Sequence, residues 1–268
     1  MRGFTSGAGI LGTALLALSP AAGAQGLVVP EFDVSLISGG RHEDGRYLAA
    51  IRIDLPEGWK TYWRNPGDSG IPPSFDWSGS ENLADVEVVW PAPELFDDGY
   101  GWVIGYDQRL VLPVRLTAED PSKAVSVDLD LSYAVCREIC VPEEARLGAV
   151  VDETGEARAE VVRALEEAPQ RVERADPYGV VDASLAQRDG SQVLVVRVRF
   201  PESAGEPRLL VEGPAEWYLP VPERVQAGGD GQETFEVALP DDAEVREAAF
   251  VATGLSRSFS FEQPFRVD

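Results

Sequence analysis

Between Glu31 and about Val150, apolar residues recur at every second position in short runs, a period that suits half-buried strands and not helices. Tyr47, Ala49, Ile51, Ile53 and Leu55 form one stripe. Leu110, Leu112, Val114 and Leu116 form a second, Val125, Val127, Leu129 and Leu131 a third, and Val86 with Val88 a shorter one. The runs are punctuated by Gly39-Gly40, Asp44-Gly45, Asn65-Pro66-Gly67-Asp68 and Pro72-Pro73, residues that turn a chain tightly. Short strands of this kind, each with one apolar face, must lay those faces against one another, and the expected result is a β-sandwich.

The pattern changes at Asp152. From Thr154 to about Ala168 the residues are good helix formers, with Ala157, Val161, Ala164, Leu165 and Ala168 roughly on one face and Pro169 as a stop. Strands then return: Leu194, Val196, Val198 and Phe200, then Phe235, Val237 and Leu239, then Phe259 and Phe261, with turns at Asp189-Gly190 and Gly228-Gly229-Asp230-Gly231. The expected fold is therefore all-β, a first sandwich over residues 25–150, a helical connector over 151–175 and a second, smaller β-sandwich over 176–268.

Residues 1–24 read as a cleavable signal peptide, with Arg2 before an apolar stretch from Ile10 to Leu18 and a small-residue site at Ala22-Gly-Ala24. A periplasmic address follows as an expectation. No later apolar run approaches the roughly 20 residues of a membrane helix, so direct membrane insertion is not expected. Acidic residues number 46 against 23 basic ones, which disfavours nucleic acid as a partner by simple repulsion.

Cys136 and Cys140 are the only cysteines, and in an oxidising compartment they have only each other as an intramolecular partner. Cα atoms four residues apart in a helical turn lie about 6 Å apart, inside the window for a bridge. The closed loop is short, so the bridge would add only about 2 kcal/mol by chain entropy, against about 3 kcal/mol for a 15-residue loop. A domain holding Trp59, Trp63, Trp77, Trp90 and Trp102 has little need of such a staple. Thiol exchange and a structural bridge in a non-catalytic binding or assembly module both fit this spacing. Arg137 would favour a thiolate while Glu138, Glu143 and Glu144 would oppose it. A metal site lacks ligands, because His42 is the single histidine and Met1 the single methionine. No metal and no cofactor is expected, and His42, beside turn glycines, reads as a surface loop residue.

Four motifs in order give a family resemblance: Gly58-Trp-Lys-Thr-Tyr-Trp-Arg-Asn-Pro-Gly-Asp-Ser-Gly-Ile-Pro-Pro73, Trp90-Pro-Ala-Pro93, Gly105-Tyr106 with Leu110-Val-Leu-Pro113, and Tyr133-Ala-Val-Cys136-Arg-Glu-Ile-Cys140-Val-Pro142. Residues 31–150 resemble the periplasmic N-terminal domain of the bacterial thiol:disulfide interchange proteins DsbD and ScsB. The resemblance implies an immunoglobulin-like sandwich that passes electrons from a membrane-embedded thiol reductase to oxidised thioredoxin-fold proteins of the periplasm, as a protein-disulfide reductase would. It implies that Cys140 forms mixed disulfides with partners, that Cys136 resolves them, and that Tyr62 is an active-site tyrosine. It also implies a cap loop over Phe96 to Tyr106, with Tyr100 and Trp102 as the candidate shielding rings. The cysteine spacing is shorter than in the best-known DsbD proteins and points to the ScsB-like branch. No membrane or thioredoxin-like segment is read in the chain, so separate partners are expected. A role in copper handling is suggested only by the ScsB likeness, and the scarcity of histidine and methionine argues against direct copper binding.

Overall fold

The computed structural model describes residues 30–99, 101–201, 206–217, 219–228 and 231–267. The signal-peptide expectation and Tyr100 lie outside the described residues. In chain order the strands are β1 (Asp33–Arg41), β2 (Tyr47–Asp54), β3 (Lys60–Gly67), β4 (Ser74–Asp76), β5 (Leu83–Val88), β6 (Glu94–Asp97), β7 (Trp102–Asp107), β8 (Arg109–Ala118), β9 (Val125–Cys136) and β10 (Cys140–Val151). After helix α1 (Arg158–Glu166) come β11 (Gln170–Arg171), β12 (Gly179–Arg188), β13 (Ser191–Arg199), β14 (Arg208–Glu212), β15 (Glu223–Ala227), β16 (Gln232–Ala238), β17 (Phe250–Leu255) and β18 (Ser260–Phe265). The all-β expectation holds.

The first sandwich stacks a sheet of order β1-β2-β8-β5 on a sheet of order β10-β9-β3-β7-β6, with β4 also paired to β9. The period-two stripes of the sequence are its core. Tyr47, Ala49, Ile51 and Ile53 of β2 and Leu110, Leu112, Val114 and Leu116 of β8 meet Val125, Val127, Leu129, Leu131, Tyr133 and Val135 of β9. Trp63, fully buried, fills the centre. The second sandwich stacks β11-β18-β17-β14 on β12-β13-β16-β15, around Leu194, Val196, Val198, Phe235, Val237, Phe250 and Phe261. Its β12–β13 hairpin turns at Asp189-Gly190, both with positive φ, as a two-residue turn requires.

Two features of the fold go beyond the strand pattern. Alternation in β2 predicts one solvated face, yet Leu48 and Ala50 are as buried as their neighbours because α1 lies across them through Val161. The helix is also shorter than the expected 154–168. Thr154 is held in a turn by Asp152, whose Oδ1 accepts from its backbone N–H and its hydroxyl, both at 2.8 Å. Gly155 then presses on Gly39, where a Cβ would come within 2.1 Å of backbone carbon, so helical geometry starts only afterwards.

The two sandwiches belong to one compact unit from Phe32 onward. Leu210 of β14 and Leu255 of β17 are buried in the core cluster of the first sandwich, while Leu209 and Val211, their neighbours along β14, are buried in that of the second.

Candidate redox site

Strands β9 and β10 pair antiparallel without a slip from Val125↔Val151 to Cys136↔Cys140. The ladder therefore ends with the two cysteines directly opposite, joined by Arg137-Glu138-Ile139, whose Arg137 N–H donates to the Ile139 carbonyl at 3.2 Å. Cys136 and Cys140 form a disulfide with a Cα–Cα distance of 4.1 Å. The bridge spans a hairpin tip, not the turn of a helix used above to judge whether the spacing could close.

Strand alternation decides which side of the sheet the pair faces. Tyr133 and Val135 of β9 point into the sandwich core, so Ala134 and Cys136 face outward. Trp59, just before β3, and Trp63 within it take inward positions, so Tyr62 faces outward with Ala134 and Cys136. An outward tyrosine would ordinarily be wet, but Tyr62 is 1% exposed, packed with Val103 and Ala134 and bordered by Phe96 and Cys136. Its Oη lies 3.0 Å from Cys140 Sγ. A disulfide sulfur has no proton, so the phenol donates. Burial first, and the negative charge of Asp98 second, hold the Tyr62 pKa above its ordinary value, which keeps that proton in place. Cys140 is exposed and Cys136 half-buried, so the sulfur touched by Tyr62 belongs to the residue open to solvent.

The outer cover is the β6–β7 hairpin. Its turn is closed by Asp98, whose N–H donates to the Gly101 carbonyl at 3.2 Å and whose carboxylate accepts from the Gly101 N–H and the Ser69 hydroxyl. Asp68 ties the hairpin to the chain leaving β3: its carboxylate accepts from the Trp102 N–H at 2.8 Å, and its own N–H donates to the Trp102 carbonyl at 2.9 Å. Two close approaches shape the pocket around Tyr62. A Cβ on Gly105 would sit 2.0 Å from the Thr61 carbonyl oxygen, and one on Gly70 would sit 2.7 Å from the Tyr62 ring. Larger residues would push both segments off the tyrosine.

Of the residues proposed from sequence, the structure brings Cys136, Cys140 and Tyr62 together. Trp102 opens β7 with the Arg208 guanidinium 5.3 Å from its ring centroid. His42 sits in the β1–β2 turn, its Nδ1 3.0 Å from Asp44 Oδ1. Sequence reasoning named Phe96 and Asp98 only as members of the cap stretch and did not single out Val103 or Lys60, whose ammonium lies 4.9 Å from the Phe96 ring centroid. Alternation within β6 and β7 was the available signal, but strands this short carry it weakly. Among the described residues, no group of three or more His, Cys, Asp or Glu side chains is placed to hold a metal ion.

A β-sandwich carrying a solvent-accessible disulfide at a hairpin tip, with a buried phenol on one sulfur, defines a redox module of immunoglobulin-like architecture. Residues 29–152 match the family model described as thiol:disulfide interchange protein DsbD, N-terminal, and this part of the chain is similar to that domain. The fold extends further: the crystal structure of the N-terminal periplasmic domain of ScsB from Proteus mirabilis superposes with a TM-score of 0.70 at 20% identity, covering 90% of this chain and 96% of that one. No curated protein matches the chain. The family and the disulfide together support thiol:disulfide exchange in general terms.

Proposed function

We propose that the protein is a periplasmic thiol:disulfide interchange protein that carries two electrons on the Cys136/Cys140 pair, from a membrane-embedded thiol reductase to oxidised thioredoxin-fold proteins. The observation that carries this reading is the asymmetry of the pair: Cys140 is exposed, accepts a hydrogen bond from Tyr62 and stands opposite its resolving partner at the end of a rigid ladder.

The steps balance without a cofactor. The Cys140 thiolate attacks one sulfur of a client disulfide, the client S–S bond breaks, and the released client thiolate takes up a proton. The Cys136 thiolate then attacks Cys140 Sγ and frees the second client thiol. The client gains two electrons and two protons, and Cys136 and Cys140 are left oxidised. Recharging runs the same steps in reverse, with a reductant thiolate attacking the exposed Cys140 sulfur. The Tyr62 proton stabilises the Cys140 sulfur whenever it bears charge, as attacker or as leaving group.

The test is the equilibrium of the pair against graded glutathione and dithiothreitol buffers, read by alkylation mass shift. A potential between about −180 and −270 mV is expected, the span of known exchange proteins, whereas a bond that resists reduction to well below about −300 mV would mark a structural bridge. Cys136→Ser is expected to accumulate mixed disulfides through Cys140. A Cys136→Ser protein that turned over normally would overturn the assignment of roles.

A further inference from the structure

The second sandwich contains neither cysteine, yet it grips the first at β3, which carries Tyr62, and at β7, which forms the cap hairpin with β6. Strand β14 has two faces. Leu209 and Val211 enter the core of its own sandwich. Arg208, Leu210 and Glu212, the alternate positions, all turn to the first sandwich: Arg208 lies over the ring of Trp102, Leu210 is buried in the first core, and Glu212 holds Arg64. The Arg64 guanidinium is a two-carboxylate clamp. Its Nε donates to Glu212 at 2.9 Å, and its Nη2 donates to Glu212 at 2.7 Å and to Glu262 of β18 at 2.5 Å. All three side chains are no more than about a quarter exposed, so screening by solvent and salt is reduced.

The position of Arg64 gives this clamp its meaning. The pairing of β3 with β7 runs through Tyr62↔Gly105 and resumes only at Gly67↔Val103. Arg64 lies inside the interrupted stretch, two residues after Tyr62. Where the backbone ladder to β7 lapses, a side-chain clamp to another sandwich holds the strand. Trp102 is likewise the first residue of β7, directly after the turn of the cap hairpin.

We propose that the second sandwich is a positioning device for the redox tip: Arg208, Leu210, Glu212 and Glu262 fix Arg64 and Trp102, and through them hold Tyr62 against Cys140 Sγ and seat the cap hairpin. Arg64 is a positioning residue that acts through Tyr62. The inference rests on the exchange reading only for the importance of Cys140, and its test measures the reactivity of that thiol directly.

The experiment is a double-mutant cycle on Cys140 in the full chain, with Cys136→Ser as background so that one thiol reacts. The rate of forming the Cys140–glutathione mixed disulfide from glutathione disulfide at pH 7 is compared for Tyr62→Phe, Arg64→Met and the pair. Each single substitution is expected to slow the reaction about threefold, the size derived for loss of the phenol hydrogen bond, and the pair no further than Tyr62→Phe alone. Circular dichroism and the thermal midpoint verify that each variant is folded. A folded Arg64→Met at the parental rate would overturn the proposal, and so would effects that multiply to about ninefold. If Arg64→Met does not fold, Glu212→Gln and Arg208→Gln, each of which leaves the other contacts in place, take its role. A slower rate in either that disappears in the Tyr62→Phe background supports the proposal, and parental rates in both overturn it. Failure of the exchange reading is seen separately, in the potential of the unaltered protein.

Discussion

Replacing Tyr62 by phenylalanine removes one hydrogen bond and almost no volume, so its effect on Cys140 can be worked out from the geometry. The bond is 3.0 Å long, and its acceptor becomes charged when the pair is reduced. Hydrogen bonds to charged groups contribute about 1.5–3 kcal/mol. Because Cys140 is exposed, water can replace the phenol, and the lower end applies, about 1.5 kcal/mol or about one pKa unit upward for the thiol. Below the thiol pKa the thiolate fraction then falls about tenfold. A more basic thiolate is a better nucleophile, with a Brønsted coefficient of about 0.4–0.5, so each remaining thiolate attacks about threefold faster. The net result in Tyr62→Phe is a rate about threefold lower at pH 7 and, once both thiols are ionised near pH 10, about threefold higher. Tyr62 itself, with its pKa raised by burial and by Asp98, stays protonated over most of this range and does not blur the comparison. The charged and titratable groups near the thiol include Tyr62 and Lys60 of β3, the latter the register partner of Cys136, and Arg137 and Glu138 of the tip, while Asp98 of the cap turn acts on Tyr62. The assay is the pH profile of mixed-disulfide formation with glutathione disulfide in the Cys136→Ser background, quenched by alkylation and read by mass. Profiles that run parallel without crossing would refute the argument, because they would mean that the phenol does not act on the charge of the sulfur.

Gly105→Ala places a methyl group 2.0 Å from the Thr61 carbonyl oxygen, and a loss of about 3 kcal/mol is expected from overpacking; an unchanged denaturant midpoint would show that β3 and β7 part without cost. Leu210→Ala, at a residue 1% exposed between the sandwiches, is expected to lower stability by about 2–5 kcal/mol in the same measurement. In Tyr133, burial and the charge of Glu143 push the phenol up to about 12, against about 10 in an unfolded chain. The neutral phenol is thus favoured by folding, so its contribution is intact below pH 10 and is lost as pH rises toward 12. Denaturant midpoints should fall between pH 9 and 11.5, and less so in Tyr133→Phe; equal slopes in the two proteins would remove Tyr133 from the account.

Much of the fold was legible because it is written in local terms. Period-two stripes at Tyr47–Leu55, Leu110–Leu116 and Val125–Leu131 are the core-facing rows of β2, β8 and β9, and Asp189-Gly190 is the hairpin turn its φ angles demand. The cysteine pair was legible as a pair because no other partner exists in the chain. Tyr62 came only through the family resemblance. Nothing in its neighbours marks it, since an outward-facing tyrosine on a strand is normally an exposed one.

The sequence by itself determined which residues alternate, where the chain turns and which two sulfurs can meet, because each of these depends on a few adjacent residues. Tertiary structure alone decided that both faces of β2 are buried, since that depends on where α1 comes to rest. It alone brought Arg64 to Glu212 and Glu262, 148 and 198 residues away, and Trp102 beneath Arg208. Contacts at such separations carry no local period or turn signature. They arise from the way two sheets, each already specified, settle their remaining apolar and charged surface against each other.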